Sequence, residues 1–333
     1  MTPLLLSIVV PTYNRRRILS RTLPSLLGQK GVEGEYEVIV VVDGSTDGTL
    51  DLLNRTEWGT RLRVITQPNR GLAAARNRGA AEARGEIILF LDDDMMAGAD
   101  LVAIHVEEHG TAAHKVVLGA LDLAEGVRRS FLKEGVATWS RDVARRLSEP
   151  GYRPRFDDWS FGNASLGRAL LRSLGGFDET FVFYGNEDYD LGWRLLQRGV
   201  EIQFAPRAVA RQIYDKSFAA WLRDVYCVGR ADVILAGKHP PIAPELRLYR
   251  REAHPLKRLA RWSGSASFDP LAPAWMALAG ALMVAELLSL RGSPLSHTQS
   301  LMGERVYWRG VRDARFPAAP GESGAMKRPW RAA

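Results

Sequence analysis

Between Glu86 and Asp94 the chain reads Glu-Ile-Ile-Leu-Phe-Leu-Asp-Asp-Asp. The unbroken apolar run from Ile87 to Leu91 reads as a fully buried strand. Three consecutive carboxylates stand at its carboxyl end. In open α/β sheets ligands bind outside the carboxyl ends of the strands, so chemistry is expected there. Three adjacent acids repel one another, and fixing them in place is costly unless a cation sits among them. The competing reading is a solvated acidic turn, common after strands. The flanking sequence decides between the two.

Leu5–Val10 is apolar and β-branched and runs into Pro11-Thr12-Tyr13-Asn14. Pro11 has no N–H to give and is expected to stop the ladder. Asn14 is placed to cap a helix to about Gly28, with Ile18, Leu19, Leu23, Leu26 and Leu27 as its apolar stripe. Tyr36–Val42 reads as a second buried strand, ending in Asp43-Gly44-Ser45, and Leu62–Thr66 as a third. A helix over Gly71–Arg84 leads into the acidic strand. This alternation predicts an α/β fold with a doubly wound, Rossmann-like, mostly parallel sheet. Right-handed crossovers set the strand ends side by side, so Thr12, Asp43 and Asp92–Asp94 are expected to converge.

Past Asp94 the spacing predicts a helix over Ala99–His109 and a strand over Lys115–Leu121. Residues 122–158 are charged and irregular and read as a mobile segment over the site. Phe161–Leu166 precedes a short helix through Leu174. A helix over Tyr189–Arg198 is closed by Gly199 and followed by a strand over Val200–Ala205. Beyond Arg211 come an amphipathic helix over Phe218–Leu235, a Pro-rich break at His239–Pro244, and an apolar stretch, Pro270–Leu290, whose only charge is Glu286. Counted from Pro273 that stretch rises about 25 Å, short of a bilayer core of roughly 30 Å. It can pack in a core, lie in a membrane interface or span. The expected division is a catalytic unit over 1–212 and a helical region with a basic tail over 213–333.

The lone cysteine, Cys227, excludes an internal disulfide and a Cys-rich zinc site. The net charge of +7 suits nucleic acid, anionic lipid or a phosphorylated substrate. The Arg15–Arg17 run and the tail from Arg305 to Arg331 carry much of it. No aromatic-interleaved basic module points to nucleic acid. Met1–Val10 lacks a basic leader and a cleavage site and reads as a strand rather than a signal peptide, so a cytoplasmic setting is expected.

Asp92, Asp93 and Asp94 offer hard oxygen ligands for Mg²⁺ or Mn²⁺, which are commonly held by one or two carboxylates plus substrate phosphates. Such an ion would stabilise a nucleoside diphosphate as it leaves. Asp43 can accept from a base imide or a ribose hydroxyl, or can cap an Asx turn. Of Arg70, Arg76 and Arg78, one facing the crevice could pair with phosphate. Glu187 and Asp188 open a helix, where the dipole favours carboxylates; beside Phe177, Phe181, Phe183, Tyr184 and Trp193 either could serve as a general base. His105-Val106-Glu107-Glu108-His109 matches an inverted zinc-protease pattern through His105, Glu108 and His109. Two surface histidines on a helix are the plainer reading.

With these residues in view the chain resembles glycosyltransferase family 2, of the GT-A fold, over about residues 5–212. Five ordered motifs carry the resemblance: Val10 through Arg15; Asp43 through Thr49; Gly71 through Ala75-Arg76-Asn77 to Gly85-Glu86; Phe90 through Asp94; and Gly175 through Glu179 with Glu187 through Leu191. The resemblance implies inverting transfer from a UDP-, dTDP- or GDP-linked sugar to a glycan or lipid-linked acceptor. It puts Pro11, Thr12 and Tyr13 on the nucleotide, Asp43 on the base, and Arg76 on base or phosphate. Asp93 would meet ribose or sugar, and Asp94, with Asp92 beside it, the metal. Asp188 would be the general base and Glu187 its acceptor-side neighbour, with Trp159, Gly162 and Asn163 lining donor sugar and acceptor. Gln212 stands near the place where many relatives carry a metal-side His. The Gln-x-x-Arg-Trp motif of processive synthases does not occur, which favours single addition. A non-catalytic nucleotide-sugar binder of the same fold is the alternative. The basic C-terminal region suggests contact with the cytoplasmic membrane face.

Overall fold

The computed structural model describes residues 4–32, 36–110 and 114–316. β1 (Leu6–Thr12) pairs in parallel with β2 (Tyr36–Asp43) and with β4 (Ile87–Leu91), and β2 pairs in parallel with β3 (Leu62–Gln67). Every residue of β1 and β2 is buried, as a sheet covered on both faces requires of apolar, β-branched runs. Ile8, Val10, Val38 and Val40 face Leu19, Leu23 and Leu26 of α1 (Arg16–Leu27). Val9, Ile39 and Val41 face the alanines of α3 (Leu72–Glu82). The short α2 (Thr49–Leu53) lies against α1.

Two local expectations shift. Pro11 stays inside β1, in register with Val41, because β4 pairs only with Leu6–Val9 and the N–H that proline lacks falls beyond it. Asn14 does not cap α1. It adopts φ +52°, donates its N–H to Ser45 Oγ at 2.9 Å and accepts from Thr46 N at 2.7 Å, tying two strand-end loops together.

The sheet has eight strands in the order β3-β2-β1-β4-β7-β6-β8-β5. They are completed by β5 (Met95–Ala97), β6 (Lys115–Leu123), β7 (Asn163–Gly167) and β8 (Glu201–Gln212). β7 is antiparallel to both β4 and β6, and β5 to β8, so the parallel half continues into a mixed half. α4 (Leu101–His109) packs on β8 and β6; α6 (Arg168–Ser173) follows β7, and α7 (Glu187–Gln197) precedes β8.

The mobile segment expected over 122–158 is instead built around a helix, α5 (Phe131–Leu147), packed on β6. Ser130 Oγ caps it by accepting from Lys133 N, and Phe131, Leu132 and Ala137 are buried. Its arginines and acids lie on the outer side, and they mask the helical period in the sequence.

α8 (Phe218–Lys238), α9 (Pro255–Ser265), α10 (Ala272–Leu287) and α11 (Ser293–Arg315) form the C-terminal region. α11 lies so close to α8 that a Cβ on Gly229 would strike the Tyr307 carbonyl, and one on Gly310 that of Tyr226. Among the described residues no helix is long and apolar enough to cross a membrane, which sets aside the spanning reading of Pro270–Leu290. Only Leu282 and Ala285 of α10 are buried, so it is not a core helix either. The part of the basic tail beyond residue 316 lies outside the described residues.

Candidate active site

The strand order brings the ends of β1 and β4 together, and the acidic triplet sits where they meet. Thr12 Oγ1 donates to Asp93 Oδ2 at 2.7 Å, and Thr22 Oγ1 donates to the Asp93 carbonyl at 2.8 Å. Arg15 lies across the triplet, 3.5 Å from Asp93 Oδ1, 3.5 Å from Asp94 Oδ2 and 2.8 Å from Asp215. Asp94 Oδ2 also accepts from Gln212 Nε2 at 3.1 Å, while Asp94 Oδ1 is buried with no hydrogen-bond partner. Burial pushes Asp93 up to about 7 and Asp94 up to about 6, and the Arg15 guanidinium draws both back down. The cation that three adjacent acids call for is thus supplied in part by the chain itself. Pro11 is buried at the end of β1, and Tyr13 is half-buried just after it.

Arg76, expected to face a nucleotide, turns inward: it is 1% exposed and gathers three carboxylates. Its Nη1 lies 2.6 Å from Asp188 Oδ1 and 3.2 Å from Glu187 Oε1, and its Nη2 lies 3.1 Å from Asp92 Oδ1. The Phe177 ring packs on the guanidinium at 5.2 Å. Asp188 Oδ2 accepts from Phe161 N at 3.0 Å. Burial raises Asp188 above the usual carboxylate range, against the pull of Arg76. Arg76 therefore holds the triplet and the Glu187–Asp188 pair in one network.

The loop that presents the pair is itself fixed from the C-terminal helices. Asn186, at φ +69°, donates to Asp232 Oδ1 at 2.7 Å, and Tyr307 OH donates to the other Asp232 oxygen. Asp190 on the next turn accepts from Arg194 and meets His239 Nε2 at 2.7 Å.

Asp43, expected on a base, spends its oxygens on the 67–71 loop: Oδ1 accepts from Gln67 Nε2 and Arg70 N, and Oδ2 from Gly71 N, at 2.8–2.9 Å. Gly162 approaches the triplet closely; a Cβ there would lie 2.8 Å from Asp92 Oδ2. Two expected lining residues turn away. Trp159 is core, stacked on Phe161 with ring centroids 5.9 Å apart. Asn163 opens β7 and turns its side chain away from the triplet, donating to the Ala120 and Ala208 carbonyls and meeting His105 Nε2 at 3.1 Å.

The same buried network disposes of the zinc-protease pattern. His105 Nδ1 and His109 Nε2 each lie 2.8 Å from Ser165 Oγ, and burial pushes His105 down to about 4. Glu108 instead lies 3.8 Å from Arg207. No group of three or more His, Cys, Asp or Glu among the described residues is arranged to hold a metal unaided.

Sequence reasoning misses two residues. Arg15 reads as part of a basic run and of the Val10–Arg15 motif but with no role of its own, because its partner Asp215 is 200 positions away. Asn69, beside Asp43, has both side-chain polar atoms buried and unpaired. Such an orphaned amide is the structural mark of a missing partner.

Residues 7–171 match the family described as Glycosyl transferase family 2, and 141–216 match the N-terminal domain of galactosyltransferase. The chain belongs to glycosyltransferase family 2. Among its family relatives, validoxylamine A glucosyltransferase of Streptomyces hygroscopicus subsp. limoneus is 33% identical over 278 residues, 73% of this chain and 58% of that one. The chain thus spans somewhat under two thirds of that relative's length. The mannosyltransferase PcManGT of Pyrobaculum calidifontis, solved with GDP-Man and Mn²⁺, superposes with a TM-score of 0.58 at 20% identity, over 93% of this chain and 87% of that one. S. aureus TarS 1–349, solved with UDP, gives 0.52 at 19% identity, over 94% and 91%. These likenesses identify the sheet and its helices as the GT-A fold.

The buried Glu187 carboxyl should make the stability of the fold depend on pH. Burial, and then the Asp188 charge, push this carboxyl up to about 7, against an ordinary 4.5. The native state therefore holds this proton more tightly than the unfolded chain does. The stability it contributes is full below about 4.5 and is lost as the pH rises through about 7. Relative to Glu187→Gln, the wild type should lose on the order of 2 kcal/mol between pH 5 and 7.5. Urea unfolding of both proteins with a chelator present checks this; parallel profiles would refute it.

Proposed function

We propose that this chain is an inverting, single-addition glycosyltransferase. It moves a sugar from a UDP-, dTDP- or GDP-linked donor to a hydroxyl of a glycan or lipid-linked acceptor, in cell-envelope polysaccharide or glycoconjugate synthesis. The observation that carries the reading is the Arg76 bridge from Asp92, on the diphosphate side, to Asp188, on the acceptor side. Residues 1–212 form the catalytic unit, and the C-terminal helices between Phe218 and Arg315 steady it.

Asp188 takes the proton of the attacking hydroxyl, and its raised affinity for protons suits a base working near neutral pH. As the new bond to the anomeric carbon forms on one face, the bond to the diphosphate oxygen breaks on the other, which inverts the centre. The Phe161 N–H and Arg76 fix the direction in which Asp188 accepts. Glu187 stands beside it toward the acceptor. Thr12 keeps Asp93 facing the sugar and ribose, and Tyr13 lines the nucleotide. Asp43 shapes the 67–71 loop rather than reading the base directly, which leaves the unpaired Asn69 amide to meet the base edge.

The unpaired Asp94 Oδ1 and the partly exposed Asp92 carboxylate fit a hard divalent cation, the class of ion to which the Mn²⁺ bound by the Pyrobaculum mannosyltransferase belongs. When bound there, Mn²⁺ or Mg²⁺ would neutralise the departing diphosphate. Arg15 lies on the neighbouring oxygens, Asp93 Oδ1 and Asp94 Oδ2, and adds positive charge beside that place.

The deciding experiment is a screen of UDP-, dTDP- and GDP-sugars for hydrolysis and binding in the presence of Mn²⁺. Turnover of at least one donor is expected. Neither turnover nor binding with any of them would overturn the reading, and binding without turnover would favour a non-catalytic nucleotide-sugar binder.

A further inference from the structure

α10 has almost no polar face, yet its inward edge alone is covered, through Leu278, Leu282 and Ala285 against α8 and α11. On the opposite side Met276, Gly280, Val284, Leu287 and Leu288 recur at helical spacing and form one stripe. Met276 is 69%, Val284 56% and Leu287 79% exposed, and Phe268, just before the helix, is 81% exposed. No charge interrupts the stripe. Glu286, the one ionisable residue of α10, is turned inward, 3.6 Å from Lys133. Soluble domains rarely leave so continuous an apolar surface to water.

Cationic groups gather at the carboxyl end of this stripe. Arg128 Nη2 donates to the Leu288 carbonyl at 3.2 Å, and Arg291 Nε to the Arg129 carbonyl at 3.3 Å. The exposed leucines therefore end beside the guanidinium groups of Arg128 and Arg291, while that of Arg129 lies 3.8 Å from Glu134. The 16-residue helix is about 24 Å long and does not span a bilayer. A second copy of the chain seated on the stripe would offer these arginines no acid from the stripe itself. Anionic lipid phosphates would answer them while the acyl chains receive the apolar side chains.

We propose that α10 lies flat in an anionic bilayer surface, with Met276, Val284 and Leu287 below the headgroups and Arg128 and Arg291 among the phosphates. This deepens the functional reading, because it sets the site beside a membrane where a lipid-linked acceptor would be presented.

The test is co-sedimentation with phosphatidylcholine vesicles with and without phosphatidylglycerol, at low and high salt. The wild type should bind the phosphatidylglycerol vesicles, more weakly as salt rises. Met276→Glu with Leu287→Glu should weaken binding roughly tenfold or more, with circular dichroism unchanged. Donor hydrolysis in the same samples is read separately: its absence strikes the transferase reading, whereas its presence without vesicle binding strikes only the membrane proposal. Wild-type protein that stays in solution, or binds as well with both glutamates, overturns the proposal. So does a wild-type dimer that the glutamates convert to monomer without any vesicle binding.

Discussion

Asp188→Asn should lower kcat for sugar transfer by roughly a thousandfold while changing donor affinity by no more than about twofold. Asparagine keeps the shape of the side chain, and its carbonyl oxygen can still accept from the Phe161 N–H. What it loses is the capacity to take a proton and the negative charge that pairs with Arg76 at 2.6 Å. Asp188 sits across Arg76 from Asp92 rather than within the triplet, so the donor's diphosphate should hardly sense the change. Steady-state transfer rates paired with titration of a nucleoside diphosphate separate the two quantities. An unchanged kcat would remove Asp188 from the chemistry. An equal loss in donor binding would make it part of the nucleotide site instead. In the wild type, the acid limb of kcat/KM should lie above the ordinary carboxylate range, since burial raises the Asp188 carboxyl.

The sequence is most legible where one residue type at one place admits few uses. An unbroken apolar strand ending in three acids can be read without neighbours, and the alternation before it predicts the parallel half of the sheet. The antiparallel β7 is not legible, because a buried strand's direction leaves no trace in its own residues. Facing is the main source of error. α3 presents small residues on several sides, so nothing in Leu-Ala-Ala-Ala-Arg shows that Arg76 points inward. Trp159 and Asn163 lie beside Gly162, which does touch Asp92, and only the fold reveals that both point away from it. Asp43 reads as an open acceptor because the backbone donors of the 67–71 loop that fill it come from another strand's end.

These corrections give the site its architecture. Balancing charge within the network falls to Arg15 and Arg76, one over Asp93 and Asp94, the other between Asp92 and the Glu187–Asp188 pair. The C-terminal helices act on the second of these, since Asp232 of α8, held by Tyr307 of α11, anchors Asn186 immediately before Glu187. The helical region is thereby part of what positions the Glu187–Asp188 pair.

The largest effect on stability should come from Arg76→Met, a loss of about 3–5 kcal/mol at pH 7.5, measured by urea unfolding with a chelator present. Methionine fills much of the same volume against Phe177, so little of the loss is packing. The cost comes from Glu187, Asp188 and Asp92, left beside one another with no cation between them. Without Arg76 these carboxyls should hold protons still more tightly, so the variant should regain stability as the pH falls from 7.5 toward 5, where protonation relieves the repulsion. Arg76→Lys should lose less, because an ammonium keeps the charge but cannot fork to three acids. Adding Glu187→Gln to Arg76→Met should recover part of the loss, a coupling that two independent sites would not show. A loss below about 1 kcal/mol for Arg76→Met, or additive effects in the double variant, would mean that the bridge contributes little, and the site's coherence would have to come from the backbone contacts at Phe161 and Gly162 alone.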